Sequence, residues 1–229
     1  MNRASNPAFD LVMFDLDGTL IETAPEICDA VNDTLNRFDL PAVSQQQVDN
    51  WIGHGTRELL ISALAFARRT DVAAVRASDS LTLIAAEFDR HYQRRCGTRS
   101  HLYPQVRETL VALKGRGVKL AVVTNKEARY TSTVLDAHQL TPLFDRVVSG
   151  DTMARKKPDP MGIESCLTEF DTPLHRALFV GDSSIDVATA RNAGVQVWAL
   201  PYGYNMGQPI AQSDPDRLIA DCSALLLSL

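Results

Sequence analysis

Asp15-Leu16-Asp17-Gly18-Thr19-Leu20 follows directly on the apolar run Leu11-Val12-Met13-Phe14, so two acids two residues apart stand where a strand runs out. A short apolar run without polar alternation is the pattern of a strand covered on both faces, as in a parallel sheet. Ligands of open α/β sheets bind beyond the carboxyl ends of such strands. Two carboxylates there add nothing to packing, because burying unpaired charge is costly. Beside a divalent cation they make chemical sense. An Asp-Gly turn is common by itself, but its place at a strand end favours a site over a plain turn.

Further buried strands are expected outward from this one, over residues 118–123, 146–149, 177–180 and 196–200, each separated from the last by a helical pattern. Five strands with helical crossovers predict an α/β fold, a doubly wound, Rossmann-like parallel sheet. Pro104 opens a helix carrying Val106, Leu110 and Leu113 on one face, and Gly117 ends it. Pro160 and Pro215 also read as helix starts, and Gly194 stands where a left-handed cap is wanted after a helix over 185–193. The stretch from Ile21 to His101 breaks the alternation. It holds helical spacings such as Ile27, Val31, Leu35 and Leu59, Ala63, Phe66, with loops at Leu40-Pro41 and Gly53-His54-Gly55. It is read as an inserted all-helical cap domain over 21–100, with 1–20 and 101–229 forming the catalytic core. Leu59, Leu60 and Ile61 suit either the cap's own core or a dimer contact, so monomer and homodimer both stay open.

The chain has 229 residues, 45% hydrophobic and 22% charged, a globular composition near the upper size for one core. Net charge is −5 with scattered lysines and arginines, which predicts a small-molecule partner and no nucleic acid. The apolar run after Met1–Phe9 is cut off by Asp15, too early for a leader or membrane span, so no membrane and a cytoplasmic location are expected. Cys28, Cys96, Cys166 and Cys222 lie far apart and read as buried, reduced thiols rather than a zinc site.

Asp-x-Asp-Gly-Thr-Leu resembles the first motif of the haloacid-dehalogenase-like hydrolases. Val122-Val123-Thr124-Asn125, Lys157-Pro158-Asp159-Pro160 and Val180-Gly181-Asp182-Ser183-Ser184-Ile185-Asp186 resemble its second, third and fourth motifs, in order. The resemblance implies a phosphatase acting on a small phosphate ester, with Asp15 as nucleophile forming an aspartyl phosphate and Asp17 as acid and base. It implies Mg²⁺ held by Asp15, the main-chain carbonyl of Asp17, and Asp182. Lys157 is expected to neutralise the transferring phosphoryl group, and Thr124 with Gly18 and nearby backbone N–H groups to hold its oxygens. Asn125 either contacts phosphate or caps the next turn. Asp186 is assigned to orienting Lys157 or metal-bound water rather than to capping alone, and Lys156 is directed to solvent.

Asp17 supplies the second acid that the dehalogenating members lack. No lysine occurs between Ile21 and His101, which removes the Schiff-base phosphonate-cleaving branch. Trp51-Ile52-Gly53-His54-Gly55 and Tyr202-Gly203-Tyr204-Asn205, the latter placed after the last strand, resemble the branch that hydrolyses 2-phosphoglycolate to glycolate and phosphate. On that resemblance Gly53, His54, Gly55 and Arg57 form the substrate-reading surface, with Arg57 meeting a carboxylate bidentately. Glu22, where relatives often carry Asp, and Gln105, where they usually carry Gly, keep a sugar phosphate, including an amino-sugar 6-phosphate, as an alternative. A β-phosphoglucomutase-like mutase or a non-catalytic phosphometabolite-binding module fits the pattern less well.

Overall fold

The computed structural model describes residues 8–228; residues 1–7, part of the stretch read as lacking a leader, lie outside it. Strand β1 (Leu11–Phe14) is buried at every position because it sits inside a six-stranded sheet. After it come β2 (Ile21–Glu22), α1 (Ala24–Arg37), α2 (Gln45–Asp49), α3 (Thr56–Arg68), α4 (Val72–Arg76), α5 (Leu81–Arg95) and β3 (His101–Leu102). The chain continues with α6 (Val106–Gly115), β4 (Lys119–Val123), α7 (Ala128–Ala137), β5 (Arg146–Val148), α8 (Met161–Glu169), β6 (Ala177–Gly181), α9 (Ser184–Ala193), β7 (Gln196–Ala199) and β8 (Arg217–Leu218).

The sheet order is β5-β4-β1-β6-β7-β8, with every pairing parallel, so the fold is a doubly wound α/β sheet. Successive side chains of a strand point to opposite faces. Val12 and Phe14 therefore join one core with Leu120, Val122, Leu178 and Val180, while Leu11 and Met13 join a second with Ala121, Val123, Ala177 and Phe179. The Phe14 ring is fully buried, which is worth about 3–5 kcal/mol against alanine.

The five helices α1–α5 lie between β2 and β3, which pair antiparallel as a short ribbon, Ile21 opposite Leu102 and Glu22 opposite His101. Apolar residues three or four apart on α1 (Ile27, Val31, Leu35) and on α5 (Ile84, Phe88, Tyr92) are buried in the first core, which continues into this insertion. Buried Glu26 on α1 accepts from the backbone N–H groups of Arg99 (3.2 Å) and Ser100 (3.1 Å), fixing the return of the chain. Leu59, Leu60 and Ile61 are buried within the chain, so they serve its own core.

Three local expectations are corrected. A sixth strand, β8, follows Pro215 instead of a helix: the Asp216 carboxylate accepts from Val197 N (2.8 Å) and Asp216 N donates to Val197 O (2.9 Å), docking the segment on β7. The Tyr202–Asn205 segment is therefore not beyond the last strand. Phe66 is 52% exposed, because α3 turns Leu60, Leu64 and Ala67 inward and leaves the Phe66 ring against Trp51, 5.9 Å away. All four cysteines are buried and unpaired. Among the described residues no helix is long and apolar enough to cross a membrane.

Candidate active site

The sheet register brings the motif residues together. Phe14 at the end of β1 lies opposite Val122 of β4 and Val180 of β6, so Asp15, Thr124 and Asp182 leave neighbouring strands at one carboxyl edge. Asp15 N donates to Val180 O (2.9 Å) and Thr124 N to Val148 O (3.0 Å), carrying the ladder one residue beyond the strands. Lys157, on the segment between β5 and α8, is buried and reaches in beneath them. Its Nζ lies 2.8 Å from Asp15 Oδ1 and 2.6 Å from Asp186 Oδ1.

Asp186 carries both roles weighed for it. It closes a capping box at the start of α9 with Ser183, its Oδ2 accepting from the N–H groups of Asp182 (3.2 Å) and Ser183 (3.0 Å) and from Ser183 Oγ (2.6 Å). The other oxygen holds Lys157. Asp182 accepts from the Thr19 hydroxyl and from Tyr204 N (2.6 Å). The Tyr202–Asn205 segment is thus a brace: Asn205 Oδ1 accepts from Ser184 N (2.8 Å), and Tyr202 OH donates to Thr19 O (2.9 Å). Gly18, expected among the substrate contacts, leaves the space that this brace occupies. Its N–H is spent on Ile21 O (2.9 Å), its φ is +88°, and a Cβ there would stand 2.4 Å from Asp182 Oδ2.

One oxygen from each of Asp15, Asp182 and Asp186 lies within 4.8 Å of the other two. Three buried carboxylates against the Lys157 ammonium leave two negative charges in excess, the complement of a hard divalent cation. The titration behaviour agrees. Burial, opposed by Lys157 and helped by the charge of Asp186, raises Asp15 from 3.8 to about 6. Burial, then the charges of Asp186 and Asp15, pushes Asp182 well above the ordinary carboxylate range. Burial disfavours charge on Lys157, yet Asp15 and Asp186 together raise its pKa.

The Asp17 carboxylate, which lines a cavity with Asp15, is held by a different set of partners. It accepts from Thr23 Oγ1 (2.6 Å) and from Lys126 Nζ (2.9 and 3.2 Å). Lys126 was not among the sequence-derived candidates, although it stands next to Asn125 just beyond a buried strand, the same placement that singled out Asp15. Its residue exposure is 2%, and its Nζ also donates to Tyr92 OH of α5 (2.5 Å). Burial works against its charge, but Asp17 holds its pKa up.

Asn125 Nδ2 donates to Gly53 O (2.8 Å) and to Lys157 O (3.0 Å), tying the insertion to the Lys157 segment, while its Oδ1 is buried without a hydrogen-bond partner among the described residues. Thr56 Oγ1 donates to Glu127 Oε1 (2.8 Å) beside it. Lys156 is exposed but not free in solvent, since its Nζ donates to His54 O (2.5 Å). A narrow cavity of about 30 Å³ lies between the sheet edge and the insertion, lined by Asp15, Asp17, Thr124, Asn125 and Lys126 from one side and Ile27, Ile52, Gly53, Gly55 and Thr56 from the other. The structure brings Gly53 and Gly55 to this lining. His54 and Arg57 are exposed and stand outside it, because α3 buries Thr56, Leu59 and Leu60 and so turns Arg57 outward.

The sequence model of the haloacid dehalogenase-like hydrolase family matches residues 12–200. The chain is 38% identical to the phosphoglycolate phosphatase of Aliivibrio fischeri over 221 residues, covering 96% of each protein. It is 37% identical to that of Haemophilus influenzae strain 86-028NP over 224 residues, 98% of this chain and 100% of the relative. A crystal structure of a predicted phosphoglycolate phosphatase from Haemophilus somnus superposes with a TM-score of 0.90 at 35% identity, covering 96% of this chain and 97% of that one.

Proposed function

The chain belongs to the haloacid dehalogenase-like hydrolases, and on that premise we propose that it is a Mg²⁺-dependent phosphatase converting 2-phosphoglycolate to glycolate and phosphate. The observation that carries the reading is the buried group of Asp15, Lys157, Asp182 and Asp186 at one carboxyl edge, with Asp17 facing the same cavity. An Asp15 oxygen attacks phosphorus, the bond to the ester oxygen breaks, and Asp17 gives that oxygen its proton. Asp17 then takes a proton from water as the water attacks the aspartyl phosphate, which releases phosphate and restores Asp15. Lys157 offsets charge on the phosphoryl oxygens, and Thr124, lining the cavity just beyond β4, offers them its hydroxyl. Asp15, Asp182 and the main chain of Asp17 would hold Mg²⁺, with Asp186 orienting Lys157. The cation's contribution is to screen the repulsion between carboxylate and phosphate.

The likeness to phosphoglycolate phosphatases over nearly the full length supports the two-carbon substrate. The helical insertion over 21–100 acts as the cap that shuts water out, its 53–56 loop fastened to the core by Asn125 and Glu127. A cytoplasmic location suits four unpaired buried thiols. The test is phosphate release with Mg²⁺ from a panel holding 2-phosphoglycolate and several sugar phosphates, with Asp15→Asn as blank. Highest kcat/KM on 2-phosphoglycolate is expected. Preference for a sugar phosphate overturns the substrate, and no turnover above the blank overturns the phosphatase.

A further inference from the structure

We propose that Lys126 is the residue that recognises the substrate carboxylate; this rests on the 2-phosphoglycolate reading and deepens it. Such a substrate carries, one methylene from its ester oxygen, a second anion that needs a cation inside the closed site. Lys157 is held between Asp15 and Asp186. Lys156 lies outside against His54 O, and Arg57 is exposed. Among the residues lining the cavity, Lys126 is the cation.

Its ammonium is placed before any ligand arrives. Lys126 N donates to Thr124 Oγ1 (3.2 Å) and its carbonyl accepts from Gly150 N (2.8 Å), which fixes the main chain. Tyr92 OH at 2.5 Å and the Tyr92 ring, with its centroid 5.0 Å from Nζ, hold the far end of the side chain. A cation fixed in this way loses little freedom on binding, and its field is weakly screened among buried neighbours. An ammonium has three donors. Of the two Asp17 contacts, the one at 3.2 Å is the weaker, and it is the one a substrate carboxylate can replace while the 2.9 Å contact persists. A buried ion pair made only for stability gains little over apolar packing. A buried ammonium bordering the cavity has a use that packing does not supply.

The experiment compares kcat and KM, with Mg²⁺, for 2-phosphoglycolate and for ethyl phosphate, which lacks the carboxylate, in wild type, Lys126→Met and Lys126→Arg. Lys126→Met should lower kcat on both esters through the lost Asp17 contact. Its KM for 2-phosphoglycolate alone should rise about 30-fold or more, the scale of a lost charge-assisted hydrogen bond. Lys126→Arg, keeping the charge, should hold that KM within about tenfold. Where turnover is too slow, calorimetry on Asp15→Asn with and without Lys126→Met should show the same loss of 2-phosphoglycolate affinity. Equal losses on the two esters, or unchanged affinity in the double variant, overturn the assignment. A wild-type enzyme with equal kcat/KM for both esters overturns the substrate reading itself, whereas a wild-type preference that Lys126→Met preserves overturns only the role of Lys126.

Discussion

Replacing Asp15, the proposed nucleophile, should make the protein more stable in the absence of divalent cations. In the fold Asp15 keeps its proton up to about pH 6, against 3.8 for an ordinary aspartate, with burial as the main cause. Between those values the folded chain binds more protons than the unfolded chain, so stability is lost as pH rises through the window. A shift of about two pKa units corresponds to about 3 kcal/mol, present as a penalty at neutral pH. Asp15→Asn removes the charge at nearly constant shape, and Lys157 keeps Asp186 as its partner at 2.6 Å. In EDTA at pH 7.5 the variant should therefore exceed wild type by about 3 kcal/mol, or roughly 6–12 °C in Tm for a chain of this size. The gap should close by pH 4, where the wild-type group is already protonated in the fold. Urea unfolding followed by circular dichroism at several pH values measures it. Saturating Mg²⁺ should narrow the gap by stabilising wild type more than the variant. An Asp15→Asn protein no more stable than wild type at pH 7.5, or a gap of the same size at pH 4, would refute the electrostatic account of the site.

Gly18→Ala should abolish activity and cost about 2–3 kcal/mol, since its Cβ would meet Asp182 Oδ2 at a positive φ; a variant with wild-type activity would show that the brace tolerates movement. Asn125→Ala removes the bonds to Gly53 O and Lys157 O, so amide exchange over 53–57 should speed up and kcat/KM fall about tenfold or more, with unaltered exchange counting against the tie. Gln105 occupies a left-handed conformation at φ +64°, so Gln105→Gly should stabilise the protein by about 1 kcal/mol, measurable by thermal denaturation; a loss of stability would mean the side chain offsets its own strain.

The sheet and the gathering of acids at its carboxyl edge were legible because both depend on local pattern. Four apolar residues followed by two acids mark β1 and Asp15, and a glycine at φ +73° ends α9 where Gly194 is placed. What escaped was built from distant partners. The two-residue strands β2, β3 and β8 have no pattern of their own and exist through pairing with residues far along the chain. Arg57 drew attention by its chemistry, but the apolar spacing of α3 decides its direction, and that spacing turns it to solvent. Gly18 was assigned to substrate from its place in a motif, while the space it must leave belongs to Asp182, 164 residues away.

Thr124, Asn125 and Lys126 show how a strand end gathers functions that motif order alone does not separate. Consecutive residues leaving β4 cannot share one direction, so each meets a different partner. Thr124 borders the cavity, Asn125 turns to the insertion loop at Gly53 and to the Lys157 carbonyl, and Lys126 turns to Asp17 and Tyr92. The insertion is thereby coupled to the catalytic edge at two independent points, the 53–56 loop and α5. Movement of the 53–56 loop away from the edge breaks the Asn125 and Glu127 contacts, whereas movement of α5 takes Tyr92 from Lys126 and so releases the far side of the ammonium that faces Asp17. Displacement of the insertion would therefore loosen the positions of Asp17 and of the Lys126 ammonium beside it, so in the proposed mechanism the geometry for proton transfer is complete only when the helices are seated.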